Sequence, residues 1–419
     1  MSLDVTDPDA PVAAAAPPRA GPFEHQWTMT RHADVAAVLR SPDFAVFDVA
    51  ARAGRIGGRT GRDFGDLLAL LGETMVFQNG DKHRRCRRAV AGLLGSGLPG
   101  SDVAGADKDG RDEADLLARA RAIVAGLPAA GEVDAVPTLA APLPTIVLAA
   151  LLGLDAERCG ALRALALTLT QAWLPSASMR VFESAAASAT TLRDALAPFA
   201  GAGTPIAGLA TGDPDERPAD LAVFLLIAGA ESIAGTIAAA LDLLARDPAL
   251  QERLRADPAA MPGFIRETLR LCGPLRRLNR RVALADVVVG GAAIRAGDVV
   301  VLRTDAAHRD PAAFAEPDRI DLARKGAALL AFGGGAHVCQ GPRLGAAEAE
   351  AMVRAVLERY RLAPGSSRGR LFAHEDWRVF ETLPLTLAPV DAAGDGLTAN
   401  RAEPDRIAAT ADRAAARPA

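Results

Sequence analysis

The longest apolar stretch of the chain runs from Leu221 to Arg246, with the sequence LAVFLLIAGAESIAGTIAAALDLLAR. It is apolar on every face, which predicts a long helix buried on most sides. Glu231 and Ser232 interrupt the pattern, and Ala228 and Gly229 just before them leave room for a large neighbour. Burial of a carboxylate is costly without a partner or a function. A hydrogen-bonded structural pair and a functional acid both remain open for Glu231 and Ser232.

The other patterns predict a mainly α protein with a small β region. A short strand and then a helix are expected between Trp27 and Val46, and a run of Ala- and Leu-rich helices between residues 112 and 200, broken at Gly131, Pro144, Gly153 and Pro175. After residue 275 the period changes to two, with a glycine hairpin at Gly290 and Gly291. We therefore expect one helical domain with a few strands.

Composition suggests where this domain begins and ends. Residues 1–22 are rich in Ala, Pro and Asp, which predicts a disordered arm, and residues 391–419 are expected to be disordered or weakly helical. The single domain would then span residues 23–390. Within it, residues 201–218 read as a loop, with Asp215 or Asp220 as a candidate cap for the long helix.

A glycine- and arginine-rich segment, ARAGRIGGRTGRDFGD, covers residues 51–66. Five glycines among 16 residues disfavour regular structure, so the sequence predicts a mobile loop. Its four arginines are compatible with a solvated lid or with a substrate gate that meets an acidic ligand.

Charge and cysteine content exclude several classes of protein. The chain has 47 Lys and Arg against 51 Asp and Glu, which argues against nucleic acid or an anionic membrane as the main partner. Its four cysteines are far apart and form no CxxC pair, which fits a reducing cytoplasm. The acidic N-terminus predicts no secretory signal or membrane anchor. Small molecules and proteins are the expected partners, and a monomer is expected.

The strongest candidate for chemistry is Cys339, in the segment LAFGGGAHVCQGPRLGAAEA. The order of the segment is apolar strand end, glycine turn, thiol and helix start. Glycines permit crowded or left-handed backbone, and a helix N-terminus stabilises an anion. We therefore expect Cys339 to be a thiolate, although a cysteine viewed alone is more often simply buried.

This segment resembles the haem-binding loop of cytochrome P450 proteins, in which Phe, Gly, a basic residue, Cys and Gly recur at fixed spacing. The matching residues are Phe332, Gly335, His337, Cys339 and Gly341. The resemblance implies a cytochrome P450 fold, haem b (iron protoporphyrin IX) as cofactor, and Cys339 as the iron ligand. Gly333 is expected to contact the same cofactor.

The resemblance extends along the chain from about residue 22 to 390. It implies that His83 and Arg87, four residues apart, bind haem propionates together with an arginine of the β region. Counting from Glu267 favours Arg280 for that role and counting back from Asp286 favours Arg281, and we prefer Arg281. Ala228 and Gly229 would face the haem, while Glu231 and Ser232 would form the oxygen groove and relay protons.

A structural role is implied for a second set of charged residues. Glu267 and Arg270 match the Glu-x-x-Arg motif of the family, and Arg319 fits the third member of that buried ionic group. Substrate contacts are expected from the lid, the helices, the groove and the β region. The candidates are Phe64, Trp173, Ala230, Arg276, Arg277 and Phe380. Core packing is an alternative for Trp173, and a surface position is an alternative for Arg276 and Arg277.

The implied function is insertion of one oxygen atom into a small organic substrate, with natural-product tailoring as the setting. Electrons would come from a ferredoxin or flavodoxin with its reductase, since the chain contains no flavin or iron–sulfur motif. Ser232 and Ile233 replace two threonines of the family pattern, Gln340 replaces an apolar residue and Ala346 an arginine. Oxidative ring formation or coupling without oxygen insertion is therefore the alternative, and a non-catalytic haem sensor or carrier is a third possibility.

Overall fold

The structure is a computed structural model that describes residues 12, 14–21, 25–95, 108–212 and 217–390. Asp215, residues 391–419 and most of residues 1–22 lie outside the described residues. Of the expected N-terminal arm, Arg19–Ala20 form a short strand that pairs with the next one.

Helices make up most of the described chain. The α-helices are α1 (His32–Arg40), α2 (Val49–Thr60), α3 (Gly65–Glu73), α4 (Gly80–Gly95), α5 (Lys108–Ala125), α6 (Pro142–Leu152), α7 (Ala156–Gln171), α8 (Met179–Leu196), α9 (Pro218–Leu226), α10 (Ser232–Arg246), α11 (Pro248–Ala256), α12 (Met261–Cys272), α13 (Thr304–Ala307) and α14 (Pro342–Arg359). Two π turns, Val136–Ala140 and Ile227–Glu231, precede α6 and α10. Short 3₁₀ helices lie at Met75–Phe77, Ala197–Phe199, Ala207–Leu209, Pro258–Ala260 and Gly335–His337.

The strands form four small sheets. They are β1 (Arg19–Ala20), β2 (Gln26–Met29), β3 (Phe44–Val46), β4 (Gly131–Asp134), β5 (Arg277–Ala283), β6 (Val287–Val289), β7 (Ala292–Ile294), β8 (Val299–Arg303), β9 (Tyr360–Pro364), β10 (Arg370–Leu371), β11 (Phe380–Thr382) and β12 (Pro384–Pro389). The largest sheet has the order β1-β2-β8-β5-β3, and a second has the order β4-β12-β9. The predicted hairpin is confirmed: Gly290 and Gly291 join β6 to β7 with positive φ angles of 58° and 88°.

The predicted central helix runs through α9, a π turn and α10, from Pro218 to Arg246. One apolar core packs around α9 with α3, α7 and α8, and another packs around α10 with α12 and α14. By length and composition this helix could cross a membrane, but 78% of its most apolar window is buried inside the protein, as in a core helix. Because α9 packs in one core and α10 in the other, the π turn that joins them lies between the two cores.

The predicted mobile loop at residues 51–66 is wrong, because its first part is helix α2. Asp48 caps the helix by accepting a hydrogen bond from the backbone N–H of Ala51 (2.7 Å). Arg52 donates to the backbone oxygens of Leu174 and Pro175, both at 2.8 Å. Gly57 is buried where a Cβ atom would lie 2.9 Å from the Arg62 oxygen. Tertiary packing thus outweighs the low helix propensity of glycine.

Two further expectations also differ from the structure. Pro144 does not interrupt a helix. It lies in the first turn of α6, where a missing N–H costs no helical hydrogen bond. Asp220 does not cap α9. It is buried, and its carboxylate forms an ion pair with Arg193 of α8.

Candidate functional site

The Cys339 loop folds back against α1, and its glycines make this approach possible. Gly333 and Gly335 have φ angles of 71° and 62°. A Cβ atom on Gly335 would lie 2.2 Å from the backbone oxygen of Leu39. The N–H of Cys339 donates to the Phe332 oxygen (2.8 Å), which closes the loop just before α14. The thiol is therefore held at a helix N-terminus on a turn that glycine adopts readily and other residues do not.

The surroundings of Cys339 do not make it a thiolate by themselves. Burial raises the pKa of the Cys339 thiol, while the N–H of Gly341 and the charge of Arg87 lower it less strongly. Desolvation thus opposes the local dipole, and the thiolate expected at Cys339 stays a prediction. A metal that binds this sulfur has to displace its proton.

Near Cys339, one end of the cavity is cationic. The rings of His83 and His337 stack with centroids 4.0 Å apart, although they come from α4 and from the Cys339 loop. Arg87 lines the cavity beside them and donates to the Val338 oxygen (2.7 Å). Burial and nearby arginines lower the pKa of His83 to about 4 and that of His337 to about 3. Two neutral imidazoles among arginines form a set of donors suited to carboxylates.

A β-bulge in β5 separates the two arginines whose roles the sequence leaves unresolved. Leu278 pairs with Leu302 and Arg281 with Val300, so β5 contains one extra residue. Arg281 and Arg280 can therefore both line the cavity. The charge of Arg281 acts on His83 and His337, whereas Arg280 lies 3.5 Å from Asp376. This geometry supports our preference for Arg281 at the cationic end.

Across the cavity, the π turn presents its small residues. Ala228 and Gly229 line the cavity, whereas Ala230 is fully buried in the core and does not. The proposed substrate role of Ala230 is therefore wrong, since the π turn directs it away from the cavity. Ser232 also lines the cavity, and its hydroxyl donates to the Ala228 oxygen (2.8 Å) within the helix.

Glu231 has a partner that the sequence does not indicate. Its Oε1 lies 2.7 Å from Nε of Arg163 on α7, in a geometry that gives no hydrogen bond. Arg163 also donates to the Thr145 hydroxyl (3.1 Å). Burial raises the pKa of Glu231, and the charge of Arg163 opposes this only in part. Glu231 is thus a buried acid whose proton is held more tightly than usual.

The structure places two substrate candidates on the cavity wall. Trp173 packs edge-to-face on Phe77, with centroids 5.1 Å apart, and lines the cavity. Arg277 lines it too, and its Nη1 donates to Glu375 (2.9 Å).

The other substrate candidates are wrong for reasons of packing. Phe64 is buried against Phe182, with centroids 5.8 Å apart, in the core between α3 and α8. Phe380 of β11 is buried in the other core, and its ring occupies the space above Gly369. Arg276 lies outside the cavity lining, and its backbone N–H donates to the backbone oxygen of Asp376 (2.8 Å).

Several cavity residues have no local signal in the sequence. His374, Asp376 and Trp377 line the cavity a few residues before Phe380, the candidate that the sequence suggested. Glu348 of α14 is another lining residue, and burial raises its pKa well above the usual value. Glu348 lies nine residues after Cys339, a spacing that does not mark it as a cavity residue. Only the packing of α14 on α10 shows that it faces the cavity.

The predicted ionic group is present with a different third member. Arg270 donates through Nε and Nη2 to both oxygens of Glu267, each at 2.8 Å. The third member is Arg324, whose Nε lies 3.1 Å from Glu267 Oε2. Arg319 is wrong for this role: its side chain is 68% exposed and pairs with Glu316. Only the backbone oxygen of Arg319 joins the group, as an acceptor for Arg270 and Arg324.

The cavity residues fit the haem that the resemblance implies. A thiol on one wall is a suitable iron ligand, the His83, Arg87, Arg281 and His337 cluster suits two carboxylates, and most of the remaining lining is apolar. In the described residues no cluster of three or more His, Cys, Asp or Glu side chains could hold a separate metal ion.

Comparisons with known proteins agree with the haem site that the cavity residues suggest. A family model described as Cytochrome P450 matches residues 215–384. Nocardicin C N-oxygenase of Nocardia uniformis subsp. tsuyamanensis is 31% identical over 381 residues, which cover 86% of this chain and 89% of that protein. Linalool 8-monooxygenase of Pseudomonas putida is 30% identical over 79% of this chain and 81% of its own length. The crystal structure of CalO2 matches with a TM-score of 0.77 at 25% identity, covering 89% of this chain and 93% of CalO2.

Proposed function

This chain belongs to the cytochrome P450 family, and we propose that it uses Cys339 to bind haem iron and tailors a natural product by inserting one oxygen atom. Membership establishes the fold, haem b as the cofactor and monooxygenation as the reaction class. The residues that hold the cofactor and the nature of the substrate are the proposal.

One observation supports the residue assignment most directly. A single cavity is lined by the thiol, by the cationic cluster and by the small residues of the π turn. These residues are Cys339, His83, Arg87, Arg281, His337, Ala228 and Gly229. Their elements are distant in sequence, so the arrangement is a property of the fold. Phe332, Gly333 and Gly341 line the same cavity and would shape the cofactor loop.

When bound, thiolate-ligated haem supplies the activation of dioxygen. The residues of the chain would position the cofactor and deliver protons. Arg87 and Arg281 would neutralise the propionates, and the neutral rings of His83 and His337 would donate hydrogen bonds to them. Together they would orient the cofactor without a covalent link. Glu231 holds a proton in a low-dielectric site, and the Ser232 hydroxyl lies at the cavity wall to pass it on. Apolar residues around them exclude bulk water.

The electron donor would be a ferredoxin or flavodoxin with its reductase. Arg84 and Arg88 of α4 are exposed on the helix that carries His83, and they offer positive charge to an acidic partner. We place this monomeric enzyme in the cytoplasm.

A small natural product is the proposed substrate class. The names of two relatives, an N-oxygenase of nocardicin C and a monooxygenase of linalool, indicate oxidation of small natural products by similar chains. The arginines and the aspartate of the cavity wall favour a substrate with a polar or anionic group.

Oxidative coupling or ring formation is the second candidate. The Ser232 hydroxyl already donates its proton to the Ala228 oxygen within the helix, which leaves the proton relay without a free donor at the cavity wall. Incorporation of ¹⁸O₂ into the product supports oxygen insertion, whereas an unlabelled oxidised product supports coupling.

The carbon monoxide complex of the reduced protein tests the assignment of Cys339. We expect a red-shifted thiolate Soret band that Cys339→Ala abolishes. Cys272→Ala is the matched control, because Cys272 lies at the end of α12 outside the cavity lining and should leave the band unchanged. A thiolate band that persists in Cys339→Ala would contradict the proposal.

A further inference from the structure

A polar wall closes the cavity on the side of β5. We use this name for Arg277, Arg280, His374 and Asp376, which come from β5 and from the segment before β11. Apart from Asn279, which donates to the Val76 oxygen (3.3 Å), the neighbouring lining is apolar and includes Leu275, Leu278 and Trp377. Charged groups on an otherwise apolar cavity wall are expensive unless a ligand or partner meets them.

The charges of the polar wall do not cancel. Asp376 is its only carboxylate among the described residues and faces two arginines, with Arg277 Nη1 and Arg280 Nη2 each 3.5 Å from a carboxylate oxygen. Glu375 binds Arg277 from outside the cavity lining. Arg52 adds a further positive charge near Arg280: burial and then the charge of Arg280 lower the pKa of Arg52. Burial likewise lowers the pKa of His374, which keeps this ring neutral. The wall is therefore net positive.

Trp173 lies beside this wall, because its backbone N–H and the His374 ring both contact the Thr170 oxygen, at 3.1 and 3.2 Å. Two donors here lack an acceptor. Among the residues that the structure describes, no atom accepts a hydrogen bond from Arg280 Nε or from Trp173 Nε1, although both atoms are buried. Buried donors of this kind are rare in folded proteins. The side chain of Arg280 is only 12% exposed, so solvent meets little of its charge. Asp376 Oδ1 on the same wall is likewise buried without a hydrogen-bond donor. An acceptor with negative charge would satisfy the two open donors, whereas Asp376 Oδ1 needs a donor group of the ligand.

The bulge in β5 separates Arg280 from Arg281, the arginine proposed to bind the cofactor. Arg281 turns toward His83 and His337, whereas Arg280 turns toward Asp376. Asp376 is too far from Arg280 for a hydrogen bond at 3.5 Å, but it is close enough to restrict the guanidinium. Arg280 thus remains available to a second anion.

We propose that Arg280 and Trp173 bind a carboxylate of the substrate, so that this enzyme oxidises a small organic acid rather than a neutral compound. The inference rests on the proposed function, because it takes the cavity to be the haem and substrate site. A guanidinium and an indole N–H both donate, which fits a carboxylate and excludes an ammonium group as their ligand. Asp376 positions Arg280 and also repels a misplaced anion.

Azole-tethered acids test this inference without knowledge of the natural substrate. The probes are ω-(imidazol-1-yl)alkanoic acids of increasing chain length and their methyl esters, titrated into the holoenzyme and followed by the red shift of the Soret band. At the best length we expect the acid to bind at least about tenfold more tightly than its ester. Arg280→Gln should weaken binding of the acid about tenfold and that of the ester less than about threefold.

Two matched variants separate charge recognition from structural damage. Arg276→Gln removes the same charge from a neighbouring arginine that lies outside the cavity lining, and it should keep the preference for the acid. Arg280→Lys retains the charge without the guanidinium fork and should keep part of the preference. Haem content is measured for each variant. Loss of haem in both Arg280→Gln and Arg280→Lys would assign Arg280 to the cofactor and overturn the inference.

Equal binding of acids and esters at every length, or a preference that survives Arg280→Gln, would also overturn it. In those cases the wild-type Soret shift still reports an intact iron site, so the proposed function stands. A wild-type holoenzyme that lacks the thiolate band would instead contradict the proposed function itself.

Discussion

Two buried glutamates on neighbouring helices of the core show opposite behaviour. Burial would raise the pKa of Glu267, but hydrogen bonds from Arg270, the Asp321 N–H and Arg324 outweigh it and lower the pKa. Burial also acts on Glu231, where Arg163 approaches to 2.7 Å without a hydrogen bond, and there the pKa is raised. Both side chains are buried, and Glu267 receives directed hydrogen bonds from three residues that Glu231 lacks, which favours the charged form of Glu267.

The difference separates structure from chemistry. Glu267 is a permanent anion that ties α12 to residues 319–324, ahead of the Cys339 loop. Glu231 lies on a π turn beside the cavity and can exchange a proton because its partner holds it loosely. A fully bonded buried carboxylate fixes geometry, and an incompletely bonded one is suited to proton transfer.

Loss of a bonded partner of Glu267 should have the largest effect. Arg324→Gln leaves Glu267 with less compensation in the core and should lower the free energy of unfolding by about 3 kcal/mol or more. The measurement is denaturant unfolding of the holoprotein, with haem release as a second readout. Arg319→Gln is the same change five residues earlier on an exposed side chain, and it should cost less than about 0.5 kcal/mol. Equal losses at both positions would contradict the assignment of Arg324.

Loss of the partner of Glu231 should change protonation more than stability. Arg163→Gln removes the charge that lowers the pKa of Glu231, so this pKa should rise further. Difference infrared titration of the carboxyl, with the band assigned through Glu231→Gln, measures it directly. Arg158→Gln on the same helix, where Arg158 pairs with Asp155 at the surface, should leave the band unchanged. An unshifted titration in Arg163→Gln would show that the contact has no electrostatic effect.

The smallest effect concerns the pH dependence of stability. The folded pKa of Glu231 lies above its ordinary value of 4.5, so between these two values the folded protein binds more protons than the unfolded chain. Stability should therefore fall as pH rises through this window, and Glu231→Gln should flatten the slope. Glu267 has the opposite sign: its contribution is present above pH 4.5 and is lost as pH falls through its lowered pKa. Unfolding curves above pH 4.5 test the sign for Glu231, and curves below pH 4.5 test the sign for Glu267. A steeper slope in Glu231→Gln would contradict the first.

Local spacing in the sequence determined the parts of the site that lie within one or two turns of chain. The turn glycines before Cys339, the His83 and Arg87 pair, and the Glu267 and Arg270 pair are examples. The apolar run at residues 221–246 likewise predicted the central helix, although not its π turn. Such features depend on backbone geometry and helical period, which the sequence encodes directly.

Tertiary structure alone decided which distant residues meet. Arg324 replaces Arg319 because an irregular segment has no period from which to count. A one-residue bulge gives Arg280 and Arg281 different neighbours, and packing against residues 174 and 175 makes a helix of the glycine-rich segment at residues 51–66. Arg163 reaches Glu231 from another helix. These contacts bring together residues far apart in the chain, so their energies depend on how the elements pack and not on any local pattern.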